Sequence, residues 1–369
     1  MRAAVKVDRL VAVGLLSLAC LTLLAGSAGI AASPIRQLTN TQASTLRPAW
    51  SPDGKRIAFQ SNVGGPYLVY VMDADGTNLR RITSGEMDDR HPSWSPDGRF
   101  LAMDSGNSAR REIWISEIAT GTRTQVTRLG AAASFPSWSP DGSRIAFFVY
   151  QAGAMDLWTV GRDGSAAIPL TRGHATEANQ QCTFACHSVA WSPDGKRLAL
   201  SDGDNARVLL MSSLVASVPI PVSPVGENSH FPIFLGDGRL SYVTEHISLD
   251  ESWTDLWAVR PDVDAPRTEI ARKIKAQGPF ALSQDGRELL FASPRSGHFE
   301  IYAVTLDEQG KAALTLRPDE TLRDLAPLST ATRATDPKDD WQKPAVVLVT
   351  LLAIIIGSSA WARRNPRPS

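Results

Sequence analysis

The pentapeptide Trp50-Ser-Pro-Asp-Gly54 returns at Trp94 to Gly98, Trp138 to Gly142 and Trp191 to Gly195, and weaker copies stand at Phe234 to Gly238 and Leu282 to Gly286. The leading residues are spaced 44, 44, 53, 43 and 48 apart, so the chain is built from six related units. Self-similarity at such a period marks a repeat architecture in which each unit is one supersecondary element. Within the motif Gly tolerates positive φ, Asp can bond its own backbone and Pro presets the bend, so each copy is a tight turn. An apolar segment follows each strong copy, as in Arg56-Ile-Ala-Phe59 and Arg144-Ile-Ala-Phe147, and an aromatic stands twenty residues after the leading Trp at Tyr70, Trp114 and Trp158. A further segment ends in Thr83, Thr127 and Thr171, again 44 apart.

Short strands of this kind cannot bury both faces within one unit, so the units must stack face to face. With 27 Gly and 24 Pro the chain is rich in turns. Radial stacking about a channel leaves only short, protected edges, whereas the coils of a linear β-solenoid are shorter than these units. The spacing therefore predicts an all-β fold, a six-bladed β-propeller over residues 33–317. Ile35 to Thr39 matches the last strand of a unit, with Thr39 lying 44 before Thr83. It is predicted to complete the sixth blade and close the ring. Residues 312–316 sit at the equivalent offset and compete for that edge.

These turns, with the following Ile-Ala-Phe and Asp-Leu-Trp or Ile-Tyr-Ala-Val segments, resemble the propeller repeats of the TolB family, whose namesake is the periplasmic component of the Tol-Pal system. The resemblance covers residues 35 to 317 and implies a propeller without specifying a function. The separate N-terminal α/β domain of that family has no counterpart here, because the first repeat follows almost directly on the leader. The expectation is thus a TolB-like propeller that lacks the TolB N-terminal domain.

Residues 1–32 carry Arg2, Lys6 and Arg9 ahead of an uncharged run from Leu10 to Ala32, the pattern of a signal peptide or signal anchor. Near the other end, Ala345 to Trp361 is apolar, with Asp339 and Asp340 before it and Arg363, Arg364 and Arg367 after it. We read 318–343 as a linker, 344–361 as a transmembrane helix and 362–369 as a cytoplasmic tail. By the positive-inside rule this places the propeller on the extracytoplasmic side of a bacterial cytoplasmic membrane. A formal net charge of zero supplies no field for a phosphate backbone, which argues against nucleic acid as a partner.

No G-x-S-x-G, H-E-x-x-H or P-loop occurs, and there is no room after residue 317 for the hydrolase domain that follows related repeats in prolyl-oligopeptidase-type peptidases. No cofactor is expected. Cys182 and Cys186 lie in the one lengthened interval and are read as a disulfide; a c-type haem site would need one residue fewer before His187. Aligning the units places Arg47, Arg90, His91, His187 and His230 where the chain enters each innermost strand, at the rim of the channel. These five are the predicted binding residues. His91, His187 and His230 are also the candidates for a divalent metal, as thought for some pectate-degrading lyases built on similar repeats. Asp73 to Asn78 has spaced oxygens but is read as a β-turn. The expected function is a non-enzymatic scaffold for a protein or envelope polymer, anchored in the membrane. The alternatives are a metal-dependent polysaccharide lyase or hydrolase acting at the channel mouth, and the sensor half of an envelope signalling system.

Overall fold

The computed structural model describes residues 35–306 except 108–109, 173–186, 203–206, 215–216, 248–251, 263–265 and 275–276. These residues form 24 strands. The first, β1 (Arg36–Gln37), is placed below. The first repeat is β2 (Thr45–Trp50), β3 (Arg56–Ser61), β4 (Leu68–Asp73) and β5 (Arg80–Arg81). The second is β6 (Asp88–Trp94), β7 (Phe100–Gly106), β8 (Arg111–Glu117) and β9 (Arg123–Gln125), and the third is β10 (Ala132–Trp138), β11 (Arg144–Gln151), β12 (Ala154–Gly161) and β13 (Ile168–Pro169). The fourth is β14 (Val189–Trp191), β15 (Arg197–Asp202), β16 (Arg207–Ser212) and β17 (Ile220–Pro221). The fifth is β18 (Asn228–Phe234), β19 (Leu240–Ile247), β20 (Ser252–Val259) and β21 (Thr268–Ile274), and β22 (Gln277–Leu282), β23 (Glu288–Ser293) and β24 (Glu300–Thr305) belong to the last.

The strand pairing corrects one expectation, that of six separate blades. Four four-stranded sheets stand alone, and the second and third repeats share one eight-stranded sheet. The cause is a single parallel pair, Ala132 on β10 with Arg111 on β8, which bridges two otherwise antiparallel units. The innermost strands pack in series, β2 on β6, β6 on β10, β10 on β14, β14 on β18, β18 on β22 and β22 on β2. The sheets therefore surround a channel, and the fold is an all-β propeller.

The repeated turn is built as its residues require. Gly54, Gly98, Gly142 and Gly195 have φ of 67°, 66°, 70° and 69°, in the left-handed region that favours Gly. The motif Ser closes each turn: Ser51 Oγ donates to Asp53 Oδ1 at 2.6 Å and accepts from Arg56 N at 2.9 Å, and Ser95 and Ser139 repeat both bonds with Asp97 and Phe100 and with Asp141 and Arg144. The leading Trp reaches back across the interface. Trp94 Nε1 donates to the Ala49 carbonyl at 3.1 Å, and Trp191 Nε1 to that of Ser137 at 3.0 Å. Core clusters likewise join neighbouring units, with Ala102, Ile113 and Ile115 packed on Ile145, Phe147 and Val149.

The 44-spaced threonines latch the outer edge. Thr83, Thr127 and Thr171 Oγ1 accept from Val69, Ile113 and Leu157 N at 3.0, 2.8 and 2.9 Å. Thr39 Oγ1 does the same for Ile301 N at 2.9 Å, because β1 pairs antiparallel with β24 and fills the outer edge of the last sheet. Residues 312–316 lie outside the described residues. So do 1–32, 318–343 and 344–361. Among the described residues no helix is long and apolar enough to cross a membrane.

Candidate functional site at the central channel

The innermost strands carry a device that only the structure displays. Arg47, His91, Phe135 and Phe231, each three residues before its unit's leading aromatic, have φ of 58°, 54°, 59° and 53°. Each precedes a proline, Pro48, Pro92, Pro136 or Pro232. A following proline crowds the right-handed helical region, and here the chain takes the left-handed one and the strand register shifts at the same point. Non-glycine residues in this region cost about 1–3 kcal/mol each and persist only where their surroundings enforce them. The enforcement comes from the preceding unit's second strand. Gln60 Oε1 accepts from His91 N at 2.9 Å, Asp104 Oδ1 from Phe135 N at 3.4 Å and Ser201 Oγ from Phe231 N at 3.0 Å.

The bulges turn these side chains together. The Arg47 guanidinium lies 5.3 Å from the Phe135 ring centroid and 5.5 Å from that of Phe231. Those rings belong to the third and fifth units, so Arg47 of the first unit spans the channel. The His91 ring sits 4.1 Å from Phe135, and Phe135 in turn lies 6.1 Å from His187. Beneath them Asp104, with its side chain wholly buried, accepts from His91 Nδ1 at 2.5 Å and from Arg111 Nη1 at 2.9 Å.

Burial alone would raise the Asp104 carboxyl, but His91 and Arg111 outweigh it and hold the group below its usual range. Burial is also the largest influence on Arg47, drawing it down to about 10 against the pull of Asp104, so it stays charged at neutral pH. His91 is pushed down to about 4 by burial, with Asp104 opposing, and His230 to about 4 by burial and by its neighbour His187. A neutral His91 beside ionised Asp104 carries its proton on Nδ1.

A pH dependence follows. The unfolded chain takes up protons near pH 6.5 whereas folded His91 and His230 resist until about pH 4. Stability is therefore fully present above the unfolded value and falls as pH drops from there toward 4. Urea unfolding at pH 7.0, 6.3 and 5.6, above the carboxylate range, should show this fall, and His91→Gln should flatten it. A slope unchanged in that variant would contradict the assignment.

The other predicted residues are placed differently. Arg90 faces its own strand end, with Nη2 2.7 Å from Asp88 Oδ2 and its guanidinium 4.6 Å from the Tyr67 centroid. His187 packs against Phe148 at 5.3 Å, and His230 is buried with Nε2 2.6 Å from Asn228 Oδ1. Among the described residues no group of three or more His, Cys, Asp and Glu is gathered as a metal would need. Cys182 and Cys186 lie outside the described residues. The Asp73 to Asn78 segment is a turn closed by its own side chains, Asp75 accepting from Thr77 N at 2.9 Å and Asp73 from Asn78 Nδ2 at 2.6 Å. Sequence reasoning missed Gln60, Asp104 and Arg111. The available signals were a polar residue inside an apolar strand, Gln60 and Asp104 being 44 apart, and the recurring residue-proline pair.

The result is a propeller whose channel is crossed by a guanidinium between two aromatic rings. The model of the TolB β-propeller domain matches residues 28–171 and, overlapping, 66–200. Over those residues the chain matches the TolB β-propeller domain, and its fold is TolB-like. Among solved structures, TolB from Acinetobacter baumannii is 18% identical, with a TM-score of 0.55 over 84% of this chain and 69% of that one. Oligogalacturonate lyase from Vibrio parahaemolyticus is 12% identical, with a TM-score of 0.54 over 77% of this chain and 96% of that one. An oligogalacturonate lyase in complex with manganese is 14% identical, with a TM-score of 0.52 over 76% and 95%. At these identities the likeness is one of fold. No curated protein sequence matches the chain.

Proposed function

We propose that this protein is a non-enzymatic binding scaffold, a six-bladed propeller held on the outer side of a cytoplasmic membrane by residues 344–361 and taking a protein or envelope polymer at its channel mouth. Six blades is our reading of the eight-stranded sheet as two blades joined at one residue pair, and the series of six innermost strands supports it. The observation that carries the scaffold reading is Arg47: a cation held at a fixed point of the channel between the buried rings of Phe135 and Phe231 presents its charge there, an arrangement suited to an acidic or polar chain.

A second reading, a metal-dependent lyase or hydrolase, is favoured by the fold likeness to oligogalacturonate lyases, one of them solved with manganese, and by imidazoles kept neutral as metal ligands must be. Against it, the Arg47 guanidinium lies in the channel against Phe135 and Phe231, near enough to His91 to disfavour a further positive charge there, and would repel a divalent ion.

The test is photo-crosslinking of the full-length chain in membranes from a probe at residue 90, comparing wild type with Arg47→Gln. One dominant partner whose capture drops several-fold in the variant is expected; equal capture would refute the assignment. Stoichiometric metal in the purified protein, lost in His187→Ala or His230→Ala, would replace the scaffold by the second reading. Alkaline phosphatase fused after residue 330 should be active, and an inactive fusion would overturn the outward placement.

A further inference from the structure

A cleft of 620 Å³ opens on the outside of the ring between the second and third repeats, away from the channel, lined by Phe100, Ile115 and Thr124 on one side and by Ser143, Arg144, Arg162, Asp163 and Ser165 on the other. Comparison with the preceding interface shows why it is open. There, Arg80 of the first unit reaches across so that Nη1 donates to the Ile118 carbonyl at 3.3 Å, and Ile118 is itself buried. One repeat of 44 later these positions are Thr124, which is too short to cross, and Arg162, which is exposed. Two changes from the repeat pattern thus fall on the two walls of one cleft. The volume suits a small organic ligand.

Arg162 is held in an uncommon way. Its guanidinium lies 4.2 Å from the centroid of Phe100 and 5.7 Å from that of Trp138. Among the described residues no side chain or carbonyl accepts a hydrogen bond from it, so a positioned fork of N–H donors faces the cleft. Stacking on rings fixes the plane of a guanidinium and leaves its edge for a planar, two-oxygen acceptor. Arg144 lines the same space while Nη2 donates to Thr159 Oγ1 at 2.7 Å and to the Ala166 carbonyl at 3.3 Å. The carboxylates nearby are engaged. Asp163 accepts from Ser165 N at 2.9 Å, and Asp97, which lies in the field of Arg162, accepts from Ser95 Oγ at 2.5 Å and Arg99 N at 3.0 Å. Two guanidiniums against one carboxylate in the lining match a single negative charge better than the two of a phosphate.

We infer that this cleft is a binding site for a small organic monocarboxylate, whose carboxylate is taken by the Arg162 fork. The test is calorimetric titration of the full-length protein with glucuronate, as a sugar acid, and with N-acetylglycine, as an amino-acid body. Glucose and N-acetylglycinamide serve as neutral controls, and inorganic phosphate as the competing anion. At least one carboxylate should bind saturably at one per chain and its neutral control should not. Arg162→Ala should weaken binding at least about tenfold, and Arg162→Lys, which keeps the charge but loses the fork, should weaken it too. Thr124→Arg, which restores the residue type of the preceding interface, should close the site without touching Arg162. Each variant should melt within about 2 °C of wild type, since the changes are on the surface. No saturable binding by either carboxylate would overturn the inference, as would binding indifferent to Arg162→Ala or phosphate binding more tightly than both.

Discussion

Deleting residues 35–42 is expected to lower the melting temperature of the propeller by about 10 °C or more. The reason is Glu300, a carboxylate 1% exposed at the start of β24. It accepts from Thr39 Oγ1 at 2.5 Å, Thr41 N at 2.7 Å and Gln42 N at 2.9 Å, so most of its partners belong to the N-terminal segment. Removing the partners of a buried charge costs about 3–5 kcal/mol, and at a few degrees per kcal/mol for a domain of this size that alone accounts for most of the fall. The rest comes from Leu38, buried against Leu290 and Ile301, and from the Leu38 N to Ile301 carbonyl bond at 2.8 Å. Differential scanning calorimetry on the full-length chain and the deletion would decide it. A difference of only a degree or two would mean that another segment closes the ring. Glu300→Gln in the intact chain should cost less than the deletion, because the strand remains.

The second large effect is expected at Asp104. Asp104→Ala should destabilise by about 3–5 kcal/mol, since it leaves the Arg111 guanidinium buried without its main partner and frees His91 and the Phe135 amide as well. It should also loosen the channel, because the left-handed backbone at Phe135 loses its cap. Replacing both members of a buried ion pair by apolar groups is often close to neutral, so Asp104→Leu with Arg111→Met should recover part of the loss. Chemical denaturation of the single and double variants measures this, and a double variant no more stable than Asp104→Ala would place the cost in His91 and the bulge instead of in the pair. Arg111 also reaches Asp88 at 3.5 Å, which sets an upper limit on the recovery.

The repeat and its closure were legible because the forces behind them are local. The Trp-Ser-Pro-Asp-Gly turn is closed by Ser51, Asp53 and Gly54 within five residues, so its residue types are required wherever it occurs. Thr39 falls in the same 44-residue register as Thr83, and each hydroxyl accepts from a strand amide, Thr83 from Val69 within the first unit and Thr39 from Ile301 in the last. The channel residues were legible as positions but not as a constellation. Arg47, His91 and Phe135 align by count, yet nothing within one unit shows that Arg47 meets rings two and four units away.

What the sequence by itself determined, then, is the set of features whose partners lie within one repeat or at a fixed multiple of it: the turns, the strands, the stacking of apolar faces and the strand that closes the ring. The tertiary structure alone decided the rest. The Ala132 to Arg111 bridge that merges two sheets, the caps that hold the left-handed bulges, the reach of Asp104 to the Phe135 amide and the cleft beneath Arg162 all arise between units. Each depends on how a neighbouring unit is placed, and that is set by the packing of strands far apart in the chain; the residue-proline pair permits a bulge, but the cap that holds it comes from another unit.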